Sequence, residues 1–388
     1  MLLTSFLAAL SIPLLISASP TSLIYRKRDA TDTNPYLGKT HYVGADYAGK
    51  LDQTVSAFLA RNDTVNAART RTVQQTSTFI WITTRAGLVN ISSTISEARA
   101  AQSKTNQTQI VQLVLYNLPD RDCSAGASAG ELTLAEDGLN IYKKEFVDVY
   151  AALLANATDL TFSVILEPDS LGNVVTNMNV PLCQTAAPGY EEGIAYAIAK
   201  LQLPNVALYI DAAHGGWLGW NDNLPLAAAE FGKVVKLAQE IKAGAKIRGF
   251  ATDVSNFNPY STDSPANYTE GSQAPDELSY ATILSPFLTE NSLPTNFIID
   301  QGRSGLQGSR ASWSEWCNVP AGYGIRPTTE TGSDLVDSIV WVKPAGESDG
   351  PCGPLINGES APEAGRWWEA YAEQAVINAN PVLTETYL

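Results

Sequence analysis

Short apolar runs recur along the chain, and polar or ionisable residues follow nearly all of them. The clearest run, residues 162–166, predicts a buried strand. It stops before Pro168, because proline cannot extend a central β-ladder. Glu167 and Asp169 flank this proline, and on an extended backbone two residues at that spacing point the same way. The pattern therefore predicts two carboxylates at the end of one strand, with a helix-capping aspartate as the alternative.

Six further runs have the same form. They lie at residues 79–82, 110–116, 206–210, 297–299 and 339–342 and around Phe250. The ionisable residues at the ends of these runs include Asp122, Asp211, His214, Asp300 and Asp349. Helix capping could account for a polar residue after one run, but it does not readily account for polar residues after nearly all of seven runs. In an α/β barrel, the chemistry is located at the carboxyl ends of the strands.

Helical patterns separate the apolar runs. They cover residues 51–75, 92–101, 139–155, 190–201, 224–241, 277–288 and 364–379. Alternating strands and helices predict a parallel sheet, and seven strands favour a closed or nearly closed barrel over a doubly wound sheet. No linker interrupts the pattern, so a single domain is expected. No Gly-x-Gly-x-x-Gly motif follows a first strand, which argues against a dinucleotide site.

Composition narrows the function classes. The 388 residues carry a net charge of −15, which argues against a nucleic-acid partner. Eight Trp and 16 Tyr either fill the core or provide stacking surfaces for a flat ligand such as a sugar ring. Trp217 and Trp220, like Trp313 and Trp316, fall in predicted loops, where stacking is favoured. Trp341 and the pair Trp367–Trp368 fall in predicted elements, where packing is favoured.

The N-terminal segment and the sequons predict secretion. Residues 1–19 resemble a signal peptide, and residues 20–33 form a propeptide or irregular lead-in that contains Arg26-Lys27-Arg28. Residues 34–388 are then the catalytic domain. We expect an extracellular monomer with no membrane association. Five Asn-x-Ser/Thr sequons are candidate glycosylation sites: Asn62, Asn90, Asn106, Asn156 and Asn267.

Four cysteines are an even number in a chain predicted to be secreted. Cys123 and Cys183 flank the strand at residues 162–166, and Cys317 and Cys352 flank the strand that contains Trp341. Pairing within each half would brace two loops beside the predicted site, whereas free buried thiols are the alternative. No Cys-x-x-Cys or His-rich cluster is present, so no metal is predicted; a metal site that uses Asp211 and His214 is the alternative.

The remaining chemistry is that of carboxylates. No Gly-x-Ser-x-Gly elbow occurs, and a Ser-His-Asp triad would have to use His214 without an evident nucleophile. Glycoside hydrolysis typically uses two carboxyl groups that flank the glycosidic bond. Burial should raise the pKa of Asp169, with Asp122 as a like-charged neighbour. Arg121 and Arg303 are expected to hold other carboxylates in the charged form.

Five motifs begin at Leu118 (Leu-Pro-Asp-Arg-Asp-Cys), Glu167 (Glu-Pro-Asp-Ser-Leu), Asp211 (Asp-Ala-Ala-His-Gly-Gly-Trp-Leu-Gly-Trp), Asp300 (Asp-Gln-Gly-Arg-Ser-Gly) and Trp341 (Trp-Val-Lys-Pro). In this order, they resemble the motifs of glycoside hydrolase family 6, and especially those of its fungal cellobiohydrolases. The resemblance extends from Asn34 to the C-terminus. It implies a distorted, seven-stranded parallel β/α barrel of the TIM type and inverting hydrolysis of β-1,4-glucan without a cofactor.

The resemblance also implies residue roles. Asp169 matches the general acid, Asp122 the carboxylate that supports it, and Asp349 a candidate base. Ser128 matches a serine that positions water, and Tyr116 lies beside the distorted sugar. Sugar-stacking and hydrogen-bonding positions are matched by Trp81, Trp217, Trp220 and Trp316, and by His214, Asn258, Lys343 and Glu347. The two family disulfides are matched by Cys123–Cys183 and Cys317–Cys352.

The chain departs from the family pattern in three places. No cellulose-binding module or Ser/Thr/Pro linker precedes Asn34, so weak binding to crystalline cellulose is expected. Ser348 stands where relatives often have an additional cysteine. Only two residues separate Asp349 from Cys352, where cellobiohydrolases carry a longer insertion that covers the tunnel. We therefore expect a half-open tunnel and release of cellobiose from non-reducing ends, with an endoglucanase as the main alternative and a non-catalytic glucan-binding barrel as the third.

Overall fold

Parallel strands alternate with helices along nearly the whole chain. The computed structural model describes residues 33–387, so the predicted signal peptide and residues 20–32 lie outside the described region. The strands are β1 (Thr40–His41), β2 (Ile80–Ile82), β3 (Gln109–Leu115), β4 (Thr161–Leu166), β5 (Val206–Asp211), β6 (Gly249–Thr252), β7 (Phe297–Asp300) and β8 (Val336–Val340). From Asn34 onward, the chain forms one compact unit.

Most helices connect one strand to the next. They are α1 (Ala45–Ala60), α2 (Thr64–Val73), α3 (Val89–Thr105), α4 (Gly138–Ile141), α5 (Asp148–Ala155), α6 (Ser170–Thr176), α7 (Pro181–Lys200), α8 (Gly215–Leu218), α9 (Asn223–Ile241), α10 (Glu277–Glu290) and α11 (Glu369–Ile377). A π-helical segment, Tyr142–Val147, joins α4 to α5, so the predicted helix over residues 139–155 is continuous but not regular.

The sheet has seven strand positions. All pairings are parallel, and the order from β3 to β8 follows the chain. Both β1 and β2 pair with β3, at its start and at its end, and together occupy one position. At the seam of the barrel, the Phe79 amide donates to the Trp341 carbonyl at 2.9 Å, and Trp81 Nε1 donates to the Val342 carbonyl at 2.9 Å. The predicted distorted, seven-stranded parallel barrel is confirmed.

The alternation of side chains along the strands creates two cores. Val114, Ile165 and Tyr209 point into the barrel. Their neighbours Leu113 and Val164 point outward, where they pack against the surrounding helices. Because the side-chain period of a strand is two, a continuous apolar run can fill both cores. This explains why the strands appear in the sequence as uninterrupted apolar runs.

Many predicted elements differ from the observed ones in their bounds, and three of these differences have a clear local description. The helix predicted over residues 51–75 is divided into α1 and α2, because Asn62 adopts a left-handed backbone with φ of 60°. The last strand ends at Val340, so Trp341 lies just beyond it, although its side chain is fully buried as predicted. Trp368 is also buried, but it precedes α11, which starts at Glu369.

No helix between residues 33 and 387 is long and apolar enough to cross a membrane. The five sequon asparagines are all exposed, which is compatible with glycosylation. Glycosylation at these positions stays a prediction.

Candidate active site

A cavity of about 900 Å³ lies at the carboxyl ends of the strands. Every predicted catalytic and substrate-binding side chain lines it, except Asn258. The lining members of that set are Trp81, Tyr116, Asp122, Ser128, Asp169, His214, Trp217, Trp220, Trp316, Lys343, Glu347 and Asp349. Loops far apart in the sequence therefore meet here, as the parallel topology requires.

Asp169 is held at the end of β4 by its backbone. Its φ is 67°, and its amide donates to Asp211 Oδ2 at 2.9 Å. Burial raises the pKa of Asp169 well above its ordinary value, and the negative charges of Asp211, Asp122 and Asp349 raise it further. Asp169 is thus suited to carry a proton in mildly acidic solution.

Glu167 does not share the direction of Asp169, so the prediction that the two point the same way is wrong. The strand ends at Leu166, and Glu167 has a φ of 46°, which turns its side chain away from the cavity. Its Oε1 and Oε2 accept hydrogen bonds from the amides of Asn117 at 2.9 Å and Leu118 at 3.3 Å. Burial raises the pKa of Glu167 to about 7.

Asp122 and Ser128 lie on the loop after β3. Asp122 Oδ2 accepts a hydrogen bond from the Ser128 amide at 2.7 Å. Burial raises the pKa of Asp122, and this effect is partly offset by that amide and by those of neighbouring loop residues. Asp122 is therefore positioned by its own loop and has an elevated proton affinity.

Within residues 33–387, Arg121 forms no direct ion pair with a carboxylate, but its positive charge lowers the pKa values of Asp122 and Glu167, in the expected direction. Its guanidinium donates to the carbonyls of Ser128 at 2.8 Å and Thr83 at 2.9 Å, and also to the carbonyl of Tyr116. It lies 4.3 Å from the centre of the Tyr116 ring. Arg121 therefore fastens the Ser128 loop to the ends of β2 and β3.

Asp349 is fully engaged by its neighbours. Both of its oxygens accept from Nη1 of Arg303 at 2.8 Å, and Oδ2 also accepts from the Asn318 amide at 2.9 Å. Lys343 Nζ lies 3.8 Å from Oδ1. Arg303 is only 1% exposed, so this ion pair is shielded from solvent. The expected role of Arg303 as a carboxylate partner is confirmed.

Three of the wall indoles are held by hydrogen bonds, and one of them is Trp220, whose Nε1 donates to the Gly216 carbonyl at 2.9 Å. Trp81 Nε1 is bound at the barrel seam, and its ring contacts Tyr116 edge-on at 5.6 Å. Trp217 Nε1 donates to Thr176 Oγ1 at 2.7 Å. Trp220 and Trp316 are 36% and 39% exposed, so their rings are open to a ligand.

Asn258 lies behind the cavity wall rather than on it. Its side chain is 1% exposed, and both of its polar atoms contact protein groups, which leaves neither for a ligand. Its predicted position in the cleft is therefore corrected to a position beneath His214. At another edge of the cavity, Glu347 Oε1 accepts from Lys50 Nζ at 2.9 Å, and Lys343 donates to the Ser348 carbonyl at 3.3 Å.

Both predicted disulfides are formed. Cys123–Cys183 ties the loop next to Asp122 to α7, and Cys317–Cys352 ties the Trp316 loop to the segment after Asp349. Each bridge therefore braces one part of the cavity wall.

Three further residues belong to the cavity or its floor. Trp313 and Asn256 line it, and Asp211 accepts a hydrogen bond from the Asp169 amide. Trp313, predicted from its loop to be a stacking residue, does lie at the cavity wall. Asn256 and the contact of Asp211 with Asp169 were not assigned from the sequence, although Asp211 opens one of the quoted motifs. Arg310 and Glu277, described below, carry no comparable signal. Within residues 33–387, no three His, Cys, Asp or Glu side chains lie together as metal ligands.

Comparison with known proteins gives a consistent result. Residues 36–379 match the family model described as glycosyl hydrolases family 6. The chain is 52% identical to 1,4-beta-D-glucan cellobiohydrolase CEL6B of Podospora anserina, over 98% of this chain and 91% of that protein. It is 50% identical to Endoglucanase-6B of Humicola insolens, over 89% and 98%.

A solved structure agrees with these sequence matches. The crystal structure of CcCel6C from Coprinopsis cinerea, described as a glycoside hydrolase family 6 enzyme, superimposes with a TM-score of 0.88 at 50% identity, covering 92% of this chain and 100% of that one. The carboxylate-lined cavity thus lies in a fold that a known glycosidase shares. The chain belongs to glycosyl hydrolase family 6.

Proposed function

We propose that the protein is a secreted, inverting β-1,4-glucanase that hydrolyses cellulose or cello-oligosaccharides, mainly by releasing cellobiose from non-reducing ends. The observation that carries this proposal is the buried Asp169 carboxyl, whose pKa is raised, in a cavity walled by exposed and half-buried indoles. Indole faces suit sugar rings, and a protonated carboxyl suits a glycosidic oxygen.

In the proposed reaction, Asp169 donates its proton to the glycosidic oxygen as the bond to the anomeric carbon breaks. A water molecule attacks that carbon from the opposite face and loses a proton to a base. The new hydroxyl therefore has the inverted configuration. Solvent then returns a proton to Asp169 and takes one from the base, which completes the cycle.

For the base, we favour Asp122, reached through water near Ser128. Both oxygens of Asp349 already accept hydrogen bonds from Arg303, and one also accepts from Asn318, so Asp349 is less available. The pKa of Asp122 is raised by burial, which increases its affinity for a proton. Asp349 and Arg303 would then organise the water-side wall of the cavity.

An endoglucanase is the second candidate. Only Gly350 and Pro351 lie between Asp349 and Cys352, which leaves little chain to cover the cavity there. A similarly related protein is named an endoglucanase, at 50% identity. A glucan-binding barrel without activity is the third candidate, but binding alone does not require a buried acid such as Asp169.

Proton NMR of fresh products from cellohexaose tests these alternatives, because it reports the anomer and the length together. Early α-anomer that is mostly cellobiose is the expected result. Early α-anomer of mixed lengths would favour the endoglucanase. Early β-anomer would overturn the inverting mechanism, and the absence of products would favour the binding barrel.

A further inference from the structure

We propose that Arg310, acting through Asn258, holds His214 as a neutral imidazole with its proton on Nε2, where it faces the cavity. Arg310 would then be a positioning residue, and His214 a hydrogen-bond donor to a sugar hydroxyl. The donor role rests on the proposed function, whereas the position of the proton does not. The two parts can therefore be tested separately.

The first step is the orientation of the Asn258 amide. Its Oδ1 accepts a hydrogen bond from Nη2 of Arg310, and its Nδ2 donates to Glu277 Oε1 at 2.7 Å. A guanidinium can only donate. A reversed amide would place its NH₂ group against the Arg310 donor, so the observed orientation is the one that satisfies the guanidinium.

The second step is the tautomer of His214. Its Nδ1 lies 3.4 Å from Asn258 Nδ2, the nitrogen that already binds Glu277. An amide nitrogen offers two hydrogens and no acceptor, so Nδ1 must accept. A neutral imidazole then carries its proton on Nε2. Among residues 33–387, no hydrogen bond is formed by Nε2, and the ring lines the cavity between Trp217 at 6.2 Å and Trp313 at 6.1 Å.

The surroundings also keep His214 uncharged. Burial lowers its pKa to about 3, and the positive charge of Arg310 acts in the same direction. Glu277 faces the network from the start of α10, but it is separated from the imidazole by the Asn258 amide. Asp211, on β5, directs Oδ2 to the amides of Asp169 and Ala213.

Arg310 is the decisive member of the network because Glu277 alone does not select one amide orientation. Glu277 Oε1 accepts from Asn258 Nδ2 and from the Gly215 amide at 3.0 Å, and burial raises the pKa of Glu277 to about 7. In acidic solution its carboxyl is therefore protonated and can also donate. Arg310 cannot reverse its role, and it is held by the rings of Tyr268 at 5.1 Å and Trp313 at 5.2 Å.

The experiment is long-range ¹H–¹⁵N NMR of the protein labelled with ¹⁵N at histidine. The sequence contains only two histidines, so His41→Gln identifies both sets of signals. In the wild type, we expect His214 to show a protonated Nε2 and an unprotonated Nδ1 in mildly acidic solution. A proton on Nδ1, a mixture of tautomers or an imidazolium would overturn the proposal, even if no variant folds.

Variants test the role of Arg310. We expect Arg310→Met to give a mixture of tautomers and to raise KM for cellohexaose about three- to tenfold with little change in kcat. Arg310→Lys, which keeps a donor, should restore the Nε2 tautomer. Asn258→Asp places an acceptor beside Nδ1 and should move the proton there. Unchanged tautomers in folded Arg310→Met and Asn258→Asp would overturn the proposal.

A matched control is Arg326→Met, which removes an exposed arginine bound to Thr384 and should change neither the spectrum nor KM. If the wild type has the expected tautomer but hydrolyses no glucan, the proposed function fails while the assignment of the proton is supported.

Discussion

The aspartates at the carboxyl ends of the strands lie on two sides of the cavity, and the surroundings of the two sides are opposite. The acid side consists of Asp169, Asp122 and Asp211, whose carboxylates face one another and backbone amides. The ion-paired side consists of Asp349 and Arg303. On the acid side, burial raises the pKa values of all three carboxyls, that of Asp211 to about 7, and the neighbouring negative charges raise that of Asp169 further.

The comparison shows that residue type and strand-end position do not determine what an aspartate can do. Burial raises the proton affinity of a carboxyl that has no guanidinium bound to it, whereas a buried carboxyl bound to a guanidinium depends on that partner for its stability. The difference between the two sides therefore comes from Arg303 as well as from the positions of the carboxylates. This difference gives each side a distinct expected response to substitution.

The largest expected effect is on the acid side. Asp169→Asn should lower kcat on cello-oligosaccharides by roughly 10²–10⁴, because it removes the proton donor. Binding of cellohexaose, measured by calorimetry, should be nearly unchanged. Asp263→Asn, at an exposed position, is the control. Full activity of Asp169→Asn would remove the distinction between the two sides.

On the ion-paired side, the expected effect is on stability. Arg303→Met should lower the free energy of unfolding by about 3–5 kcal/mol, because buried Asp349 loses its guanidinium partner and keeps only the more distant Lys343 ammonium, at 3.8 Å. The double variant Arg303→Met/Asp349→Asn should recover most of this loss. Denaturant unfolding measures both.

An exposed ion pair serves as the comparison for that measurement. Arg99 and Asp159 have side chains that are each 44% exposed, so Arg99→Met should cost less than about 1 kcal/mol. If Arg303→Met/Asp349→Asn is no more stable than Arg303→Met, the role assigned to the buried Arg303–Asp349 ion pair is wrong.

A smaller effect is expected from the buried carboxyls behind the acid side. Burial raises the pKa of Glu277 from 4.5 to about 7, so the folded protein binds more protons than the unfolded chain between these values. Stability should therefore fall as pH rises through this window. Glu277→Gln keeps a carbonyl oxygen that can accept from the same two donors. In this variant, the loss of unfolding free energy between acidic solution and pH 8 should be smaller by about 1–3 kcal/mol. The free energy of unfolding is measured with urea at several pH values. The same dependence on pH in the variant and the wild type would contradict the raised pKa of Glu277.

Much of the fold could be predicted because apolar runs and strand ends are local features. The run at residues 162–166, followed by Pro168, predicted β4 to its last residue. The two-residue strand Thr40–His41 was missed, because it is short and polar and forms only by pairing with β3. The break between α1 and α2 was missed, because a left-handed asparagine has no strong local signature.

The site was predictable where a motif is contiguous and unpredictable where partners come from distant loops. Asp169 and Asp122 lie within motifs, and both line the cavity. Arg310 is 52 residues from Asn258, and Glu277 is 19 residues from it, so no spacing rule indicated their network. The direction of Glu167 depended on one positive φ, which an extended-strand argument cannot foresee.

The smallest expected effect compares the exposed indoles of the two sides. Trp220 follows Asp211 on the acid side, and Trp316 lies on the loop that leads from Arg303 to Cys317; they are 36% and 39% exposed. If both only stack on sugar rings, Trp220→Ala and Trp316→Ala should each raise KM for cellohexaose about three- to tenfold with kcat nearly unchanged, because such stacking stabilises the bound substrate and the transition state equally. Phenylalanine at either position should restore part of the loss. A decrease in kcat for Trp316→Ala alone would instead mean that the ion-paired side acts on the transition state, so that the two sides share the chemistry.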